Sequence, residues 1–238
     1  MTCIIGYRDS KNGIVYIGAD SCGGNTMLAK KFIRRDRKVF KLKDDKESLI
    51  GFAGSFRMGQ LLMTAEGLFD EPVIKDDEDD EDLSAEEYED EIVKDEEDVD
   101  STPLLDKMNI KYKRVKEVNL ESMIDVFIPN TANLLLEGGF AVQGENGLEG
   151  GVFLVANKDK LYRIDGDFQV GEMEDDYIAI GTGENFALGA LEAMKDSKIS
   201  IPKKIEKALR VATKYAMGVE PPFIIMNTGN DEVIEIKK

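Results

Sequence analysis

Four β-rich runs, two helical patterns, four more β-rich runs, two more helical patterns and a closing pair of strands follow one another along the chain. This succession is the tightest constraint on the fold. Single strands alternating with single helices would wind into a parallel sheet. Strands arriving in runs, with helices in pairs, suit antiparallel sheets whose outer faces are covered by helices. The expectation is an α+β fold, a four-layer αββα sandwich of two antiparallel sheets, formed by residues 1–238 as a single domain with one insertion.

Local signals support that order. TCIIGYR and IVYIGAD flank a turn around Ser10-Lys11-Asn12-Gly13, where Asn-Gly favours positive φ, so they predict a hairpin. KVFKL and SLIGFAG read as strands, the second almost wholly apolar. From Ser55, a plausible N-cap, Met58, Leu61, Leu62, Ala65, Leu68 and Phe69 recur at helical spacing. Leu120, Met123, Ile124, Phe127, Thr131, Leu134 and Leu135 share a second helical face, which Pro129 is expected to kink or split. GVFLVAN, LYRID, GDFQVGE and YIAIGTG form the second strand series. Helices over 184–194 and 202–216 follow, the latter with Pro202 at its start and Gly218 just past its end. PFIIMNT and EVIEIK close the chain as a hairpin.

The formal net charge of −17 is concentrated in one stretch. Residues 71–100 hold 18 acids and 2 lysines, which leaves 30 of the 48 acids and 29 of the 31 bases to the rest of the chain. Such a block repels itself and buries too little apolar surface to offset its ordering. It is read as a solvated insertion spanning 70–118; the sharper reading is a docking surface for a basic partner. It lacks the glycine of an EF-hand loop, so specific calcium binding is not expected.

Several function classes drop out. The 238 residues contain no histidine, which removes Ser-His-Asp chemistry, a histidine-activated cysteine and histidine-based zinc sites. Cys3 and Cys22 are too few for a disulfide framework and lack metal-ligand spacing. Neither a metal nor a cofactor is implied. GTGENF follows a strand and opens a helix, but Phe186 replaces the third glycine of a dinucleotide loop and no parallel βαβ unit follows. The main body has no basic stripe, so direct nucleic-acid binding is not expected. No run of eighteen apolar residues suggests a membrane span, and no basic segment leads into an apolar one at the start, so a reduced, cytoplasmic protein is expected.

Thr2 opens the remaining possibility. Were Met1 removed, its hydroxyl would sit beside its own α-amine, a base of ordinary pKa about 7.7–8.0. That chemistry requires a cation to keep the amine neutral, a carboxylate to hold the cation, and a backbone N–H for the oxyanion. TCIIGYRDSKNGIVYIGAD ends its second strand at Asp20, RDRKVFKL places Lys38 before a short apolar strand, and IGFAGS places Gly54 at a turn opening a helix. IAIGTGENFALGALEAM places Thr182 at a glycine turn before a small-residue helix. In this order the chain resembles the proteasome β-subunit family, most closely its HslV-type peptidases, which are N-terminal nucleophile hydrolases.

The resemblance leaves out roughly residues 70–118. It implies a threonine peptidase acting on peptides or unfolded proteins, with Thr2 as nucleophile, Lys38, Asp20 and Thr182 around it, and Gly54 as oxyanion donor. It also implies a homo-oligomeric ring fed by an ATPase unfoldase. The chain departs from the family pattern after the last helix: where the family carries an Asp and a Ser, YAMGVEPP offers Glu220 and two prolines. That departure, with Met1 ahead of Thr2, motivates the alternative of an inactive relative that binds partners through its acidic insertion.

Overall fold

The computed structural model describes residues 2–25, 30–73, 111–145 and 147–237. Met1, and the acidic stretch from residue 74 onward, lie outside the described residues. Strands β1 (Ile4–Asp9) and β2 (Ile14–Ala19) form the expected hairpin, closed by the Asn12 and Gly13 amides donating to the Asp9 carbonyl, with Gly13 at φ 66°. A short hairpin of β3 (Cys22–Asn25) and β4 (Lys30–Ile33) follows, then β5 (Val39–Lys41) and β6 (Ser48–Ala53). Helix α1 (Phe56–Thr64) is capped by the Ser55 side chain accepting from the Arg57 amide.

Leu68 and Phe69, expected on that helix, are buried beyond its end. Gly67 turns the chain there at φ 72°, in a conformation that ends a right-handed helix. The flanks of the acidic stretch pair with each other, because β7 (Asp70–Pro72) lies antiparallel to β8 (Tyr112–Arg114). The second helical region is continuous through three geometries: α2 (Leu120–Ser122), a π-helical turn (Met123–Phe127) and α3 (Ile128–Glu137). The predicted disturbance falls just before Pro129. The Ile128 amide reaches back five residues to the Met123 carbonyl, a wide turn of the kind that accommodates proline's missing donor.

A small hairpin, β9 (Val142–Gly144) with β10 (Gly147–Glu149), leads into β11 (Val152–Asn157), β12 (Lys160–Ile164), β13 (Val170–Glu172) and β14 (Tyr177–Ile180). Helices α4 (Glu184–Ala193) and α5 (Ile201–Tyr215) follow, then β15 (Phe223–Asn227) and β16 (Ile234–Ile236). The strands assemble into two five-stranded antiparallel sheets, ordered β14-β1-β2-β15-β16 and β13-β12-β11-β6-β5.

Alternation within the strands sorts their side chains into separate cores. Ile4, Val15, Ile17 and Ala19 of the first sheet join Val39, Leu49, Leu154 and Ala156 of the second in one cluster. The opposite face of the first sheet, with Ile5, Ala179 and Ile225, packs on Leu191, Ile205 and Leu209 of α4 and α5. The opposite face of the second, with Ile50, Phe52 and Phe153, packs on Met58, Leu62, Phe127 and Leu135. At one close contact between the sheets the sequence supplies glycine. A Cβ on Gly51 would come within 2.7 Å of both Ile4 and Ile17. This contact positions the site, because Gly51 pairs with Val39, the neighbour of Lys38, while Ile4 lies two residues from Thr2.

Candidate active site

The site is built at one end of both sheets. Thr2 precedes β1, and Asp20 follows the antiparallel β2; the Asp20 amide donates to the Cys3 carbonyl at 3.3 Å. Lys38 precedes β5, and its carbonyl accepts from Phe52 of β6 at 3.0 Å. Gly54 follows β6 at that same end. The register of β14 against β1 sets Ile180 opposite Ile4, which brings Gly181 and Thr182 alongside Thr2.

The side chains converge accordingly. The Lys38 Nζ lies 3.0 Å from the Thr2 Oγ1 and 2.9 and 3.0 Å from the two Asp20 oxygens. Lys38 and Asp20 are each 1% exposed, so this is a desolvated ion pair that also touches a hydroxyl. Asp20 accepts two further bonds, from the Cys3 amide at 2.9 Å and the Cys22 amide at 2.8 Å. Four hydrogen bonds from three donor groups fix the plane of the carboxylate, and through it the direction of the Lys38 ammonium. Burial pushes the Lys38 pKa below the ordinary lysine value, with Asp20 opposing; burial likewise pushes Asp20 upward, with Lys38 and the two amides opposing.

The main chain of Thr2 is held from the other side. Its N–H donates to the Thr182 Oγ1 at 3.1 Å, and its carbonyl accepts from the Gly183 amide at 3.1 Å. Gly181, at φ 93°, lies so close that a Cβ there would sit 2.5 Å from the Thr2 oxygen. The GTG string is therefore a fitted seat for the residue-2 peptide, with glycine on both sides of the Thr182 hydroxyl that accepts from it. Gly54, at φ 97°, is exposed at the end of β6 with open space around it.

The divergent loop after α5 also reaches this end. The Thr182 hydroxyl lies 3.4 Å from the Met217 carbonyl, the Glu220 carbonyl accepts from the Ser21 amide at 3.0 Å, and the Ser21 hydroxyl donates to the Pro222 carbonyl at 2.6 Å. Glu220 turns its carboxylate to Lys31, 2.5 Å away. The loop thus braces the chain next to Asp20, while the Thr2 nitrogen takes Thr182 as its hydroxyl partner.

All five residues singled out from the sequence lie at this end of the sheets, and Thr2, Asp20, Lys38 and Thr182 are directly hydrogen-bonded into one cluster. Sequence reasoning missed the Cys3 and Cys22 amides, because main-chain donors carry no residue signature. It also missed Gly183, whose only signal was the second glycine of GTG. Among the described residues no group of acidic or cysteine side chains has a metal-binding arrangement, and no helix is long and apolar enough to cross a membrane.

Residues 105–217 match the family described as proteasome subunit. That match covers just under half of the chain, and over that part the chain is similar to proteasome subunits. The ATP-dependent protease subunit HslV of Borrelia duttonii (strain Ly) is 33% identical over 79 residues, 33% of this chain and 44% of that protein. The chain thus spans under half the length of the curated relatives it matches. Among solved structures, Thiobacillus denitrificans BPH shares the fold over 100% of this chain and 99% of its own, with a TM-score of 0.59 at 14% identity. HslV from Trypanosoma brucei does so over 95% and 98%, with a TM-score of 0.57 at 18% identity. The family match takes in Thr182 but not Thr2, Asp20, Lys38 or Gly54, which are linked to the site by geometry alone.

Proposed function

We propose that the protein is a proteasome-type threonine peptidase that becomes active when Met1 is removed. One observation carries the reading: a buried lysine, oriented by a buried aspartate, lies 3.0 Å from the hydroxyl of residue 2. With Met1 gone, the Thr2 α-amine takes the proton from its own hydroxyl as Oγ attacks the scissile carbonyl. Lys38 disfavours the protonated amine and steadies the developing alkoxide, and Asp20 orients Lys38. Thr182 positions the amine, because its hydroxyl already meets the residue-2 nitrogen. The Gly54 N–H is assigned to the oxyanion, since its positive φ turns the backbone at the mouth of the site. The amine then protonates the leaving nitrogen, and water releases the acyl group from Thr2.

The three apolar clusters support the four-layer αββα arrangement as the frame of this site. Kinship with HslV supports a cytoplasmic homo-oligomeric ring served by an ATPase unfoldase and acting on unfolded chains. The test is twofold. N-terminal sequencing of the active protein is expected to read Thr-Cys-Ile, and Thr2→Ala is expected to lose peptide hydrolysis entirely. Hydrolysis surviving in Thr2→Ala contradicts the reading.

A further inference from the structure

The run KKFIRRDRK, residues 30–38, carries six bases and one acid in a chain whose net charge is −17, and it ends on Lys38 itself. Arg34 within it is held in place, unlike a freely solvated surface arginine. Its amide donates to the Ser21 carbonyl at 2.9 Å, next to Asp20. Its stem crosses Gly23, where a Cβ would lie 2.6 Å from the Arg34 Cδ. Its guanidinium stacks 3.8 Å from the centre of the Phe56 ring, and Asp36 takes a fork of two bonds, 2.7 Å from Nε and 2.5 Å from Nη2. Phe56 opens α1 two residues after Gly54, and the Lys38 Nζ lies 5.8 Å from the same ring. The guanidinium therefore stands against an aromatic wall shared with the candidate lysine, and it is about one-third exposed.

We infer that Arg34 forms an acceptor-binding subsite beside Thr2 that selects peptides with a carboxylate side chain next to the scissile bond. Of the five guanidinium N–H groups, Asp36 engages two, and the rest can fork onto a second carboxylate. Arg34 covers part of the Phe56 ring that an apolar side chain would otherwise use. The neighbouring Lys30, Arg35 and Arg37 are exposed and add a local positive field that draws acidic peptides toward this edge, while Lys31 is paired with Glu220. The inference rests on the peptidase reading for its setting, but binding alone can test it.

Two peptides differing only in Glu against Gln beside the scissile bond are titrated by fluorescence anisotropy onto the full-length Thr2→Ala protein. The Glu peptide is expected to bind about tenfold more tightly at low salt, with the ratio shrinking as salt rises. Arg34→Met keeps the packed stem but removes the fork, and should bring the ratio close to one. Asp36→Asn loosens the competing partner and should raise it. Arg8→Met, a charge-matched change at a pair with Asp176 on the far part of the first sheet, should leave it where it was. Equal binding of the two peptides, or a ratio unmoved in both Arg34→Met and Asp36→Asn, overturns the subsite. If these ratios behave as expected while the unsubstituted protein cleaves neither peptide, the peptidase reading falls and the subsite stands.

Discussion

Lys38 and Asp20 show how a costly arrangement becomes a useful one. Two opposite charges at 1% exposure lose most of their hydration, and their attraction recovers that only with good geometry and satisfied lone pairs. Here the carboxylate accepts from Lys38, Cys3 and Cys22, and the ammonium has the Thr2 hydroxyl left as its further partner. Lys38→Met should therefore do two separable things. Leaving Asp20 buried without its cation should cost about 3–5 kcal/mol in denaturant unfolding, and peptide hydrolysis should fall by at least ~100-fold. In the Lys38→Met/Asp20→Asn double variant, most of the stability should return while activity stays lost. Recovery of activity along with stability would mean that the pair is structural only. At this scale the sequence was readable wherever chemistry names its residues: a threonine near the start, an aspartate at a strand end, a lysine before a strand. It was silent on the amides and on the guanidinium–ring stack, which depend on how separate elements meet.

At the scale of elements, the period of the apolar residues located the long strands and the helices, because a buried face imposes it. Three short hairpins escaped notice: apart from the buried Cys22 and Gly23 at the start of β3, the described residues of β3–β4, β7–β8 and β9–β10 are exposed or half-exposed, so burial imposes no period on them. Leu68 and Phe69 kept a helical spacing while leaving the helix, since burial selects apolar residues in a turn as readily as in a helix. The sheet contact at Gly51 invites a direct test. Gly51→Val would press on Ile4 and Ile17, and should lower stability by about 1–3 kcal/mol in chemical denaturation. It should also reduce hydrolysis, because the displaced strands carry Thr2 and Lys38. On α5, Glu206 is nearly buried between Lys203 at 2.5 Å and Arg210 at 2.9 Å. The Lys203 hydrogen bond, aided by Arg210, holds the Glu206 carboxyl below its ordinary value of 4.5. Because the folded state favours the ionised form, the stabilisation is complete above that ordinary value and fades as pH falls through the lowered one. Glu206→Gln should cost about 1 kcal/mol at pH 7 and nothing at acidic pH where both states are protonated, as thermal unfolding across pH would report.

Across the whole molecule, the two sheets bring residues 2, 20, 38 and 182 together from parts of the chain far apart in sequence, and the family match reaches only the last of these. The catalytic proposal therefore stands on packing more than on homology. If the chain works as a ring, hydrolytic activity should co-sediment with a species many times the protomer mass, and a protomer-sized fraction should be inactive in the same assay. The most direct test of the central claim is where a peptidyl vinyl sulfone attaches, read by mass spectrometry of the processed protein. The account predicts one adduct, on the Thr2 oxygen, reduced or abolished in Lys38→Met. An adduct on Cys3, Cys22 or any other side chain, or none on a protein that begins at Thr2 and still cleaves peptides, would contradict it.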